Sequence, residues 1–531
     1  MKMAKAKTES LLERKKAKMY EKVDVWQGRI ARLLVILLLC ASPLYFNSER
    51  YIRLTGHKFW FFFTCMCVVL FGVLVVWTVR MLLSEPRLPP QDRLSVTDWA
   101  VLGFAAITLL SALLSPFRDL VNVWIGITEP GGRYDGAITQ LMYVAAFFIV
   151  SRWYKPRERD FVWFGVSAIC VSLIGIFQFY GMDFFNLWPN HIAAYHMENY
   201  YNIYFRSTLG NINIVSTYVC VAILLCGFMY LKMKSKWRYL LLAASALSFW
   251  MMIIGSSFSG MVGTAVATFL AIPFIIENRR SLGSFLILAA SWLAAVTVQR
   301  LFYNTLILGA VAPVSLMPFF AGIVIGVTAG LLLILFSKEP DPEAPAKWKL
   351  GVVLVVAAII LGLTFIEVVG RSESTAMIYQ ARQVMHGNID DTFGSFRIFI
   401  WRNALIAFPQ FPIIGSGPDT FYYAFPADMH GFYGEAYDKA HNEYLQILIC
   451  QGILGLLCYL VFLGGIFIKA VPKAFKNPMF MAVLVAFMGY SAQAFFNISL
   501  PIFSQSLWIF AGMMANKQFR EMAVGELREE S

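Results

Sequence analysis

Apolar runs of about twenty residues recur almost from end to end of this chain, and that recurrence narrows the folds open to it. An α-helix needs about 20 apolar residues to cross a bilayer, and only helices and closed barrels satisfy every backbone group there. Candidate spans fall at roughly 30–46, 59–80, 98–114, 136–151, 160–179, 212–231 and 238–255. They continue at roughly 260–276, 284–303, 316–337, 348–369, 443–468, 478–497 and 502–515. Composition agrees, since 59% of the residues are hydrophobic and 14% charged, against about 25% charged in soluble domains. The expected fold is therefore an all-α polytopic membrane protein of about 14 transmembrane helices, with a large extracytoplasmic loop that contains short helices. Residues 1–370 form an N-terminal bundle with a basic tail, 371–440 the large loop, and 441–531 the last helices, in one integral membrane domain.

Charge gives the orientation. The N-terminal segment is basic and runs into an apolar stretch from Ile30 to Phe46 with no small-residue cleavage site after it, so it reads as a retained first span. With that tail inside, the connections Arg80–Arg93, Arg152–Asp160, Lys232–Arg238, Glu277–Arg280, Lys338–Lys349 and Lys469–Lys476 are also inside. Nearly all carry a Lys/Arg excess. Both termini are then cytoplasmic and Phe396–Ala440 is outside. The same loops account for the net charge of +12 without a nucleic-acid partner. His57, His191, His196, His386, His430 and His441 all sort to the outer side. The cysteines fall within spans, Cys65 and Cys67 lie too close for a zinc knuckle, and no Cys/His cluster has metal spacing, so neither metal nor cofactor is expected. Ionisable residues stand at span ends, such as Glu367 and Glu443, which disfavours an ion-coupled transporter. Gln178, Gln493 and Asn497 are the polar groups nearest mid-span.

Three outer loops carry polar content. The first, Ser115–Asp135, contains ITEPGGRYDG with Arg133 and Asp135. The second, Gly181–Asn213, places Trp188, Tyr195, Tyr200, Tyr201 and Tyr204 where they suit an interfacial belt or sugar stacking, and ends in FRSTLGNIN. In the third, Ser372–Asn388 and Phe393–Phe408 are predicted helices. Arg397 and Trp401 share a face of the second, with Arg402 one step around. Its apolar side, Phe396, Phe399, Ile400, Ala404 and Leu405, is expected to lie on the bilayer surface. Pro409, Pro412 and the turn Gly415-Ser416-Gly417-Pro418 end it, and that turn is expected to expose backbone N–H groups near the membrane. An arginine beside such a turn suits an anion cradle, while Arg397 and Arg402 equally suit anchoring to lipid phosphates. His441 opens the next span in DKAHNEYLQ, where the positive end of the helix dipole favours the neutral imidazole. It fits a general base or a structural interface histidine, with Glu443 as a competing carboxylate.

FRIFIWRNALIAFPQFPIIGSGPDTF followed by AHNEYLQILICQGILGL resembles the signature region of the O-antigen ligase and polymerase superfamily. Those membrane proteins share a large outer loop with an Arg-led helix, a Pro-x-x-Gly-x-Gly turn and a His-Asn pair entering a helix. The corresponding residues here are Arg397, Pro412 with Gly415 and Gly417, and His441 with Asn442. FRSTLGNINIVSTY is similar to a second family pattern and points to Arg206 and Asn211 or Asn213, without its proline. GGRYDGAITQLMYVAAFF resembles an early loop and points to Arg133. A Ser-Arg-Gly break common in the family reads GSSFSGMVG here, with Ser259 where an arginine is expected. The resemblance covers Ser395–Leu456 most closely, extends less closely around Arg206, and is a matter of topology elsewhere.

The resemblance implies a glycosyltransferase at the outer face of a bacterial cytoplasmic (inner) membrane, and with no metal-spaced cluster in the sequence it is expected to be metal-independent. The donor would be a glycan on a polyprenyl (undecaprenyl) diphosphate, and the acceptor a glycan or glycolipid hydroxyl, in cell-surface polysaccharide assembly. It implies diphosphate binding by Arg397, Arg206 and Arg133, with Arg402 a weaker candidate, and acceptor activation by His441. A polysaccharide polymerase of the same superfamily stays open, as does, from another class, a lipid-linked glycan flippase.

Overall fold

The computed structural model describes residues 2–51, 53–83, 94–128, 132–188, 205–255, 258–301, 376–433 and 436–521, with single positions between 359 and 371. The expected span at 316–337, nearly all of that at 348–369, and the aromatic positions Tyr195, Tyr200, Tyr201 and Tyr204 lie outside them.

In chain order the helices are α1 (Lys2–Ile36, prolonged by a π-helical turn Leu37–Ala41 into Ser42–Leu44), α2 (Leu54–Leu82), α3 (Val96–Leu114), α4 (Ala137–Trp153) and α5 (Glu158–Phe179). Then follow α6 (Ile212–Lys232), α7 (Arg238–Gly255), α8 (Phe258–Leu270), α9 (Arg279–Leu301), α10 (Ala376–Met385) and α11 (Phe393–Ala407). The last are α12 (Glu443–Ala474), α13 (Pro478–Gln493), α14 (Gln505–Ala515) and α15 (Lys517–Glu521). Among the described residues 9 helices are long and apolar enough to cross a membrane, and α4 and α8 are shorter apolar ones. The all-α membrane fold is thus present. The only strand pairing described joins Phe205–Arg206 to Gly210–Asn211.

The axis of the bundle is α6. It is apolar on every side, so no stripe faces water, and its entire apolar window is buried. It packs against α7, α8 and α13. Lipid tails supply no hydrophobic drive between helices, so close approach at small residues matters here. A Cβ on Gly263 would lie 2.6 Å from the carbonyl oxygen of Gly489, and one on Gly260 2.4 Å from Ser216 Oγ.

Ionisable groups near the span ends tie neighbouring helices together. Lys58, within α2, is fully buried and donates to the carbonyls of Ser42 (2.6 Å) and Pro43 (3.0 Å) at the end of α1. Arg32 pairs with Asp160 at 2.6 Å, joining α1 to α5.

Helix α12 carries the break that places the large loop. Gly452 adopts φ +70 and ψ −174, which interrupts the helical ladder. The freed carbonyls of Ile449 and Cys450 accept from the amides of Ser416 (2.9 Å) and Gly417 (3.0 Å). The freed amides of Ile453 and Leu454 donate to Pro412 and Ile413. The PIIGSG segment is therefore stitched into a helix gap, and buried backbone groups find partners on both sides. Helices α3, α4 and α12 all run from this end of the bundle to the other. Ser115, Asp135 and His441 lie at the near end, and Thr97, Arg152 and Lys469 at the far end.

Candidate active site around His441

His441 precedes α12 in a left-handed conformation, φ +49, which a β-carbon makes unfavourable. Its neighbours hold it there. Ala440 O accepts from Trp401 Nε1 (2.9 Å), Ala440 N donates to Gln446 Oε1 (2.9 Å), and Asn442 caps α12 through Leu445 N (3.1 Å). Backbone strain over-determined in this way is characteristic of functional sites. His441 Nδ1 is buried and has no hydrogen-bond partner. Burial first, then the positive charge of Arg397, pulls the imidazole down to about 3, with Asp438 opposing and Arg133 assisting. The ring is neutral near pH 7 and its Nδ1 is free to accept or donate a proton.

Arg397 is the cation closest in effect. Gly394, Ser395 and Phe396 all take positive φ, so the regular part of α11 begins at Arg397. Its Nη1 donates to Gly394 O (2.5 Å) and its Nε to Phe496 O (3.2 Å). Trp401, on the same face, lies near Phe496 as well, with the two rings tilted. Arg397 has no carboxylate partner among the described residues, so its partly buried charge is uncompensated. The rest of α11 departs from expectation. Phe399, Ile400 and Ala404 are buried against the segment Phe421–Cys450, leaving Leu405 and Ile406 exposed. Residues expected on the bilayer surface instead build a local core under the site.

A pair of crossed charge links ties the first polar loop to the residues before His441. Arg133 holds Asp438 bidentately (2.6 and 3.2 Å), and Lys439 binds Asp135 (2.7 Å) and Asp419 (2.9 Å). The side chains of Lys439, Asp135 and Asp419 are 1%, 6% and 1% exposed. Burial raises Asp135 to about 6, with Lys439 opposing and Asp419 adding to the rise. Asp419 Oδ2 also accepts from Ile127 N (2.7 Å). Motif and spacing miss Asp419, Asp438 and Lys439. The one available signal is the inverse charge order of Arg133-x-Asp135 and Asp438-Lys439, but nothing in the chain says that these loops touch.

The other expected site residues fall in different places. Gly415 and Gly417 take φ +77 and +120 inside the gap of α12. Since the Ser416 and Gly417 amides are already bonded, the expected exposed cradle of N–H groups is not formed there. Asn442 is spent as the α12 N-cap. Arg402 is 60% exposed and pairs with Asp391. Glu443, the competing carboxylate, accepts from the hydroxyls of Tyr459 (2.5 Å) and Tyr490 (3.3 Å).

Arg206 is 5% exposed, lies over the ring of Phe179, and has Nε and Nη1 without hydrogen-bond partners. It is not among the charges acting on His441. Its side chain rests on Gly255, so a guanidinium does reach the Gly255–Gly263 break where the chain itself has Ser259. Ser259 is buried and bonds Ser216 (3.2 Å) and Asn497 (3.0 Å). Asn497 also donates to Asn213 O (2.8 Å) and follows Phe496, the residue that receives Arg397. The Arg206 loop and Arg397 are thereby joined through Asn497. The structure thus brings together His441, Arg397, Arg133 and Asp438, with Arg206 buried one link away.

No curated protein matches the chain. The family model described as O-antigen ligase matches residues 305–460, which include Arg397, Gly415, Gly417, His441 and Asn442, while Arg133 and Arg206 lie outside the match. Over those residues the chain is similar to the O-antigen ligase family, and the match supports the O-antigen ligase and polymerase superfamily for that part of the chain.

Proposed function

We propose that the chain transfers a glycan from a polyprenyl diphosphate donor to an acceptor hydroxyl at the outer face of a bacterial cytoplasmic membrane. The observation that carries this reading is an uncompensated Arg397 beside a neutral His441 with a free Nδ1, at the end of the bundle that holds the large loop. A diphosphate leaving group needs its developing charge neutralised more than it needs a strong acid, and a fixed arginine does that without reorganisation. Arg397 binds the diphosphate. Arg133 gives the diphosphate a second guanidinium, one whose charge is already shared with Asp438. Arg206 contributes a further buried cation from its own loop.

In the reaction the acceptor oxygen attacks the anomeric carbon, the carbon–oxygen bond to the diphosphate breaks, and the hydroxyl proton passes to His441 Nδ1. Anion binding at Arg397 offsets the charge that depresses the imidazole, so His441 becomes a better base once the donor is seated. Holding both large reactants in one cleft supplies the entropic part of the acceleration.

The test is reconstitution in vesicles with a polyprenyl diphosphate-linked oligosaccharide. Arg397→Ala and His441→Ala should each lower transfer by about 10²–10³-fold, the range for losing one preorganised charge-stabilising group. Full product from both variants would remove the assignment. Which molecule gains sugar, a distinct glycolipid or a second donor-linked chain, separates ligase from polymerase.

A further inference from the structure

At the end of the bundle opposite His441, the ends of α3, α4, α12 and α14, together with α15, enclose a cavity of 130 Å³. That is far beyond the roughly 10–15 Å³ that one water requires. Arg152, Lys469, Lys517 and Arg520 line it, and Asp98 is the one carboxylate among the lining residues. Asp98 is already satisfied. Its Oδ2 accepts from Ser95 N (2.7 Å) and Ser95 Oγ (2.8 Å), and its Oδ1 lies 3.0 Å from Arg152. Lys469 reaches only the neutral hydroxyl of Thr97 (3.3 Å). Lys517 and Arg520 form no ion pair among the described residues. Three of the four cations are left to face an anion.

The surroundings tell what bears that anion. Val96 and Trp99 on α3 are 72% and 62% exposed, and Ile468 on α12, next to Lys469, is 74% exposed. Charged lining and bare apolar helix surface therefore meet on the same two helices. A free phosphate uses only the first, whereas a phospholipid uses both, with its head in the basic pocket and its chains along the helices. Basic pockets between membrane helices capture anionic head groups in this way, and a tryptophan at that level is a usual interfacial anchor.

We propose that this cavity is a binding site for the phosphate head group of an anionic phospholipid. It stands apart from the transfer site and does not depend on the transfer reading.

Native mass spectrometry and thermal melting of the full chain in detergent test it, with phosphatidylglycerol, phosphatidylcholine and inorganic phosphate as probes. Phosphatidylglycerol should give retained adducts and raise Tm, and phosphatidylcholine should not. Lys469→Gln, Lys517→Gln and Arg520→Gln together should weaken phosphatidylglycerol binding by roughly fivefold for each charge removed. Lys469→Arg with Lys517→Arg should keep it, and Lys234→Gln with Lys236→Gln, exposed at the same end, should leave it unchanged. Equal binding of phosphatidylcholine, equal protection by inorganic phosphate alone, or unaltered binding in the triple variant would overturn the proposal. So would Glu526→Gln, Glu529→Gln and Glu530→Gln together melting, free of lipid, as low as the triple variant, since the chain's own carboxylates would then be the occupant.

Discussion

Lys439 offers the sharpest energetic test of how the site is held. Its ammonium is 1% exposed and touches two carboxylates, Asp135 at 2.7 Å and Asp419 at 2.9 Å, that are themselves buried. Lys439→Met preserves most of the side-chain volume and removes the charge. Breaking a buried ion pair from one side typically costs about 3–5 kcal/mol, because the remaining charge is stranded in low dielectric. The escape is protonation, and it sets the scale. Forcing one carboxyl of ordinary pKa, about 3.9, to hold a proton at pH 7 costs about 4 kcal/mol at 1.36 kcal/mol per pH unit. At pH 5 the same step costs only about 1.5 kcal/mol. In the variant the folded-state carboxyl values are raised, so its stability falls as pH rises from about 4 towards 7. Thermal melting of the purified chain at pH 5, 6 and 7 should therefore show Lys439→Met below wild type by several degrees at pH 7, with the gap closing towards pH 5. Adding Asp135→Asn and Asp419→Asn should recover much of the loss. A gap of less than a degree at pH 7, or one that does not widen with pH, would refute the claim that these charges lock the loops.

His441 is depressed to about 3 from an ordinary 6.5, so the wild type should lose stability as pH falls from 6.5, by about 2 kcal/mol at pH 5. His441→Gln should not show that loss, and kcat/KM should lack an acidic limb near 6.5. Gly415→Ala should fail to give a monodisperse protein. Its Cβ would lie 2.3 Å from the Cys450 carbonyl carbon at φ +77, for a cost of about 2–5 kcal/mol from left-handed strain and overpacking together. Asn442→Ala should lower stability by about 1 kcal/mol in melting experiments while transfer survives, and Asn442→Asp should restore it, since its oxygen caps Leu445 N.

Much of the site's chemistry is legible in residue order, because local patterns carry it. Arg397 and Trp401 share a face by helical spacing, and the structure gives both the same neighbour, Phe496. His441 at a helix start is neutral, though burial outweighs the helix dipole as the cause. The turn at Gly415–Gly417 marks a special backbone, but it does not serve as the anion cradle its glycines suggest. Its amides answer a break at Gly452, 35 positions further on, which no local rule connects to it. The apolar face of α11 departs from expectation for a related reason. Periodicity shows that a face is apolar, but whether lipid or protein covers it depends on where the segment Phe421–Cys450 lies.

Hydropathy alone determined a helical membrane protein, because apolar runs of about twenty residues match a spanning helix, which satisfies its own backbone groups in the bilayer core. Tertiary structure alone decided which charges meet. Arg133 finds Asp438, 305 positions away, and Asp135 finds Lys439, 304 away. Buried charges must be paired, and pairing is settled in space. Arg397, which has no carboxylate partner among the described residues, becomes visible beside His441 only in the folded structure.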